Sequence, residues 1–206
     1  AYQLAHTPGP TLDLRVEDQA HTAELVRQGT VLGAVTTLDE PVQGCQIHAL
    51  GSIRYAATCT PEFRERHFAK GVTAQALAQA PVLGFNRKDD MQSRFARRMA
   101  GDDLPSTAPT WWIPSTRAFV QANLGGMGWT MNPLPLVKRH LDAGRLVYVR
   151  QRAWEDVPLY WQHWKGDVQT MALLTRAALA IDSRVASTGG GADLSASSAA
   201  AAPVLA

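Results

Sequence analysis

The chain has 206 residues, 46% hydrophobic and 18% charged, with a formal net charge of +2, which is enough for one large globular domain or two smaller lobes with a sizeable core. So small a charge does not imply nucleic-acid binding by this segment, and no apolar run approaches a membrane span. Two cysteines, Cys45 and Cys59, make no disulfide framework and match no zinc spacing, so both are read as reduced thiols.

Residues 1–6 read as the end of a helix and Pro8-Gly9-Pro10 as a turn. They lack the basic-then-apolar pattern of a signal peptide. The chain does not open on Met, so a fragment without its amino-terminal part is expected. Residues 12–17 alternate apolar and polar side chains, as a strand with one wet face does. Asp18 stands at an N-cap position, and the helix it opens runs to Gln28, with Gly29 as its C-cap. Residues 31–35 are apolar on both faces, which predicts a central parallel strand. Residues 12–35 are therefore expected to form a βαβ unit, which narrows the fold to the open parallel-sheet α/β class.

A strand is predicted over 53–59, followed by Pro61 in a first helical turn. A short helix over 73–80 stops before Pro81. Residues 82–85 then begin a second lobe, with further strands at 111–113, 128–131 and 146–149, and 159–164 is a strand after the chain returns to the first lobe. Ser115 or Thr116 caps a helix over 117–124, and Gly144 ends another over 135–143. Met171, Leu174, Ala178 and Ile181 give an amphipathic closing helix. The Ala/Ser/Gly-rich stretch 187–206 is too poor in apolar surface to offset its ordering and is expected to be a disordered tail. The expected division is a first lobe over 1–79 with 154–186 and a second over 80–153, joined by two crossovers that make a hinge.

With these elements placed, the chain resembles the effector-binding domain of LysR-type transcriptional regulators, most of all the ArgP/LysG branch. The resemblance is carried by residues 12–35, by Ala-Leu-Gly-Ser-Ile-Arg-Tyr-Ala-Ala-Thr-Cys-Thr-Pro-Glu-Phe at 49–63, by Phe85-Asn86-Arg87-Lys88-Asp89-Asp90-Met91, by 115–133 and by 158–164. It covers roughly 12–181, and order and spacing carry it more than any single motif. The resemblance implies an α/β fold of two Rossmann-like lobes of the type II periplasmic-binding-protein kind, the first lobe lacking its first strand. It implies a basic amino acid such as lysine or arginine as effector, a homodimer or tetramer, and a cytoplasmic site of action. The helix after Asp18 and the helix after Ser115 are expected to form the pairing surface. DNA would be met only through a helix-turn-helix domain absent from this chain. An extracytoplasmic solute-binding receptor shares the fold logic and is the alternative, though it calls for a signal peptide.

In open parallel sheets, ligands bind beyond the carboxyl ends of strands. That rule selects Thr36 and Thr37, Asn86, Ser115 and Thr116, and Asn132 as ligand-binding candidates. Ser115 and Thr116 have the best physical case, because a helix start offers unpaired N–H groups and a positive dipole end to a carboxylate. A basic side chain needs an acid, which Asp89 and Asp90 supply after the second-lobe strand and Asp39 and Glu40 after the first. Asp90 would serve equally as a helix cap. The run Gly125-Gly126-Met127-Gly128 lies between helix and strand, the wrong order for a phosphate loop, and is read as a C-cap. His6, His21, His48, His67, His140 and His163 form no metal-binding pattern, and no nucleophile elbow or carboxylate dyad stands out. No catalytic residue, metal or cofactor is expected, and the chain is read as a binding module, not an enzyme.

Overall fold

The computed structural model describes residues 11–17, 22–101, 108–166, 168–185 and 202–205. They pack as two compact units, Ala1–Ile53 with Asp156–Ala206, and Arg54–Glu155. This packing places 54–79 in the second unit, where the sequence reading had them in the first lobe.

The first unit holds strands β1 (Leu14–Glu17), β2 (Gly33–Thr36), the first part of β3 (Cys45–Cys59), most of β8 (Trp154–Trp164) and β9 (Ala202–Leu205), in the order β1-β9-β2-β8-β3. Helix α1 (Thr22–Arg27) joins β1 to β2. Its end is a Schellman turn: Thr30 N–H donates to Leu25 O and Gly29 N–H to Val26 O, both at 3.0 Å, with Gly29 at φ +68°. The expected N-cap, Asp18, lies outside the described residues. Ala34 faces a core of Ala23, Val26, Val31, Val42 and Cys45. Val35 faces Leu50, Trp161, Met171, Leu174 and Ala178, the last three from α7 (Val168–Val185). The side chain of Ile181 lies outside the described residues.

Three expectations are corrected here. Strand β2 is buried on both faces, as its apolar run requires, but its two partners, β8 and β9, are both antiparallel. Burial is written in side-chain composition and strand direction is not. Strands β1 and β2 do run the same way, since each opposes β9. The expected dry face of β1 is exposed, with Leu14 and Val16 open. Within the stretch read as a disordered tail, Ala202–Leu205 form β9, paired with β1 from Leu14↔Leu205 to Glu17↔Ala202 and with β2 at Gly33↔Leu205 and Ala34↔Val204. Two neighbouring ladders supply the ordering that the composition lacks. Residues 187–201 and 206 lie outside the described residues.

In the second unit, the last part of β3 pairs with β6 (Thr130–Pro133) from Tyr55↔Pro133 to Thr58↔Thr130, and with β7 (Val147–Tyr148). Here the parallel expectation holds: β4 (Val82–Gly84) and β5 (Thr110–Trp112) pair in parallel, and Val82 makes a parallel bridge to Trp129. Helix α2 (Pro61–Phe68) starts on Thr60, whose Oγ1 accepts from Phe63 N–H at 3.2 Å, with proline in its first turn. Helix α3 (Ala74–Gln79) starts likewise on Thr73. Helices α4 (Met91–Ala100), α5 (Thr116–Leu124) and α6 (Leu134–Asp142) follow β4, β5 and β6. Gly126 and Gly144 repeat the Gly29 turn after α5 and α6.

Candidate ligand site

Parallel pairing aligns the carboxyl ends of β4 and β5, with Ile113 N–H donating to Gly84 O at 2.9 Å. Beyond β4 the chain turns through Asn86–Asp90, and beyond β5 it enters α5. The first turn is closed by its own side chains. Asn86 Oδ1 accepts from the N–H groups of Lys88 at 2.8 Å and Asp89 at 3.1 Å. The Asp89 carboxylate accepts from Phe85 N–H at 3.0 Å and Met91 N–H at 3.2 Å. Asp90 occupies the N-cap position of α4 without a side-chain capping bond, and its carboxylate pairs with Arg94 one turn on. Asn86 and Asp89 are half-buried and Asp90 is exposed.

Ser115 is the N-cap of α5: its exposed side chain accepts from Ala118 N–H at 3.4 Å. Thr116, half-buried, is the first helical residue. The helix start therefore presents N–H donors at the same strand ends as the Asn86 turn, an arrangement that can hold a carboxylate. The structure thus brings Asn86, Asp89, Asp90, Ser115 and Thr116 to adjoining strand ends of one unit.

Asn132 is placed differently. Strand β6 runs on to Pro133, so Asn132 lies inside a strand, fully buried. Its Nδ2 donates to Thr58 Oγ1 at 3.0 Å and Asn123 Oδ1 at 3.1 Å. Thr36 and Thr37 belong to the first unit. Thr36 is buried and its Oγ1 accepts from Leu38 N–H at 3.2 Å, while Thr37 is half-buried. Asp39 and Glu40 are exposed.

The sequence reading missed Asn123, which organises the polar interior of the second unit. Its Oδ1 accepts from Thr58 Oγ1 at 2.9 Å as well as from Asn132, and its Nδ2 donates to Thr58 O at 3.1 Å and Gly128 O at 2.8 Å. The available signal was its position: Asn123 follows the buried Phe119 and Val120 at helical spacing, on the apolar face of α5. Buried Gln92 of α4 extends the polar interior, with Nε2 donating to Leu83 O at 3.0 Å and Thr130 Oγ1 at 3.1 Å. Asn132 Oδ1 and Gln92 Oε1 have no hydrogen-bond partner among the described residues.

Charge near the site is organised around Glu155. Burial alone would lower Arg94, but hydrogen bonding to Glu155 and the charges of Glu155 and Asp90 hold its guanidinium above the usual value. A separate open cavity of about 480 Å³ lies by the start of α2, lined among others by Thr60, Glu62, Gln121 and Arg145. It holds none of the predicted residues. Among the described residues no group of three His, Cys, Asp or Glu is placed to hold a metal ion, and no helix is long and apolar enough to cross a membrane.

Comparison with known proteins shows the family to which the chain belongs. The LysR substrate binding domain family matches residues 3–172. The HTH-type transcriptional regulator LysG of Mycobacterium tuberculosis is 43% identical over 164 residues, which cover 80% of this chain and 53% of that protein. The lysine export transcriptional regulatory protein LysG of Corynebacterium glutamicum is 36% identical over 175 residues, 85% of this chain and 59% of that one. The chain thus spans little more than half the length of these curated relatives. Among solved structures, full-length LysG from Corynebacterium glutamicum with bound effector Arg superposes with a TM-score of 0.79 at 34% identity, covering 88% of this chain and 61% of that one. The chain belongs to the LysR substrate-binding-domain family and has its periplasmic-binding-protein-like α/β fold.

Proposed function

We propose that this chain is the sensing domain of a LysR-type regulator that responds to a basic amino acid, lysine or arginine. It would work by binding and not by catalysis. The observation that carries the reading is the likeness to a LysG structure with bound effector Arg, supported by a relative named for lysine export. The effector carboxylate would meet the start of α5 at Ser115 and Thr116, with Asn86, Asp89 and Asp90 as further contacts from the second unit and Thr36 and Thr37 from the first. The two units would act as effector lobes, and the ligand would shift the population between two arrangements of them. The whole protein would be a homodimer or tetramer acting in the cytoplasm, paired through α1 and α5. It would reach DNA through a helix-turn-helix domain outside this sequence.

The test is calorimetric titration of L-arginine and L-lysine into the chain and into its Ser115→Asp variant. Aspartate caps a helix as well as serine does, so the variant stays folded, while its charge opposes the incoming carboxylate. Arginine or lysine binding that weakens about tenfold or more in the variant, a loss of about 1.4 kcal/mol, supports the reading. Equal affinity in both proteins removes Ser115 from the site, and no heat from either amino acid overturns the proposed effector class.

A further inference from the structure

Helix α4 meets three parts of the second unit. Its start is tied to the Asn86–Asp90 turn through the Asp89 carboxylate on Met91 N–H. Its buried face reaches β4 and β6 through Gln92. Its outer face carries Arg94 and Arg98, one turn apart, and both reach Glu155 near the start of β8. Arg94 Nη2 donates to Glu155 Oε1 at 2.9 Å, Arg98 Nη1 to Oε2 at 3.4 Å, and Arg98 Nη2 to Trp154 O at 3.4 Å. The other amino group of Arg94 holds Asp90. One guanidinium thus bridges the candidate ligand turn to a carboxylate 61 residues further along the chain. The Glu155 side chain is only 18% exposed, and both its oxygens are engaged. The local pair Lys138–Asp142, exposed on both sides, has no such reach.

Exposed ion pairs are worth little, but a two-pronged guanidinium on a largely buried carboxylate fixes orientation as well as charge. We propose that Arg94, held by Glu155, is a positioning residue that couples the Asn86–Asp90 turn to Trp154–Glu155, where the chain leaves the second unit. The turn's own hydrogen bonds keep its shape, and Arg94 keeps that shape in register with β8. The ligand consequence rests on the function proposed above. A basic side chain arriving at Asp90 competes with Arg94 for the carboxylate, which loosens one of the two cations on Glu155. Trp154 sits where this is felt, with its carbonyl on Arg98 and its ring under the Arg54 guanidinium at 4.7 Å.

The experiment is amide hydrogen exchange on the chain, on Glu155→Gln, on Arg94→Gln and on the control Lys138→Gln. Coupling of this kind is worth about fivefold or more. Exchange at Phe85, Asp89 and Met91, whose amides the turn's side chains hold, is expected to rise about fivefold in both test variants and to stay unchanged in the control, with the β6 amides equally protected in all four. A rise spread evenly over the unit, or none at the turn, overturns the coupling. Should Glu155→Gln fail to fold, Arg94→Gln decides, since it leaves Glu155 on Arg98. A second arm follows a fluorotryptophan resonance of Trp154 on adding L-arginine, expected to shift in the parent and not in Arg94→Gln; an equal shift in both overturns the ligand consequence. If the parent takes up no arginine, the proposed effector fails and the ligand consequence with it, while the exchange arm still decides the coupling.

Discussion

Strands β2 and β6 are each four residues long and each wholly buried, but different chemistry holds them. Gly33-Ala34-Val35-Thr36 is covered by aliphatic and aromatic side chains on both faces, and its Thr36 hydroxyl is satisfied two residues away. Thr130-Met131-Asn132-Pro133 buries two polar side chains, whose Thr130 Oγ1 and Asn132 Nδ2 are held by Thr58, Leu83, Gln92 and Asn123 from other elements of its unit. An apolar strand tolerates many neighbours of the right volume, whereas a buried amide requires particular partners at particular distances. Strand β6 is therefore the more exactingly specified of the two, and its unit also carries five of the eight ligand candidates at adjoining strand ends.

The sharpest way to break this contrast is to remove one buried side chain from each interior. Asn123→Ala takes their partner from Thr58 O, Gly128 O and the Thr58 hydroxyl together, and buried groups left unsatisfied cost about 1–3 kcal/mol each. A loss of about 3 kcal/mol or more is expected. Val26→Ala in the first unit, at a site with no exposure, deletes two methyl groups and costs about 2 kcal/mol. Urea unfolding of both variants reads the difference directly. If Val26→Ala proves the more damaging, the polar interior contributes less than its geometry requires.

Next in size are two glycines that lie under indole rings. A Cβ at Gly33 would stand 2.5 Å from Trp161 Cη2, and one at Gly84 would stand 2.5 Å from Trp112 Cζ3. The clashes are equal and the rings are not: Trp161 is 1% exposed and its Nε1 donates to Thr175 Oγ1 at 3.0 Å, while Trp112 is 40% exposed under Arg87. A locked ring transmits the overlap to its neighbours; an exposed ring swings away. Gly33→Ala is expected to destabilise by about 1–3 kcal/mol and Gly84→Ala by clearly less, as their melting midpoints would show. Equal effects would mean that Trp112 is held as firmly as Trp161.

What the sequence revealed followed the range of the interactions. The turns at Gly29, Gly126 and Gly144 and the cap at Ser115 were legible because every partner lies within five residues. Strand β2 was legible as buried, since its composition says so, but not as antiparallel, because direction depends on β8 and β9 far along the chain. Strand β9 was illegible: its order comes from backbone ladders to β1 and β2, and a ladder leaves no mark on an Ala/Pro/Val/Leu segment. The Asn86 turn and the start of α5 were selected by the strand-end rule, and they come to adjoining strand ends because β4 and β5 are parallel. The same rule carried Asn132 into the list only because the end of β6 was placed two residues early. Glu155 gave no local signal, since its partners are 57 and 61 residues away.

The smallest expected effect separates the units by pH. The amides in the second unit do not titrate, whereas the first unit pairs two imidazoles across its strands, with His48 Nε2 3.4 Å from His163 Nε2 and the rings 5° from parallel. His163 Nδ1 lies 2.9 Å from Trp164 O. A carbonyl only accepts, so Nδ1 carries the proton, Nε2 of the neutral ring is the acceptor, and His48 Nε2–H is the donor. Burial, and then the neighbouring His163, hold His48 below its ordinary value. A histidine with a lowered folded value binds fewer protons folded than unfolded just below about pH 6.5. Its contribution is therefore complete above that pH and is lost as pH falls toward the folded value. The melting midpoint should decline on acidification below about pH 6.5, and His48→Gln, which keeps a donor and removes the titration, should flatten that decline. Some slope should remain, because burial lowers His67 and His140 in the second unit in the same direction. An unchanged slope in His48→Gln would place the pH sensitivity in those two residues and leave the imidazole pair a purely structural contact.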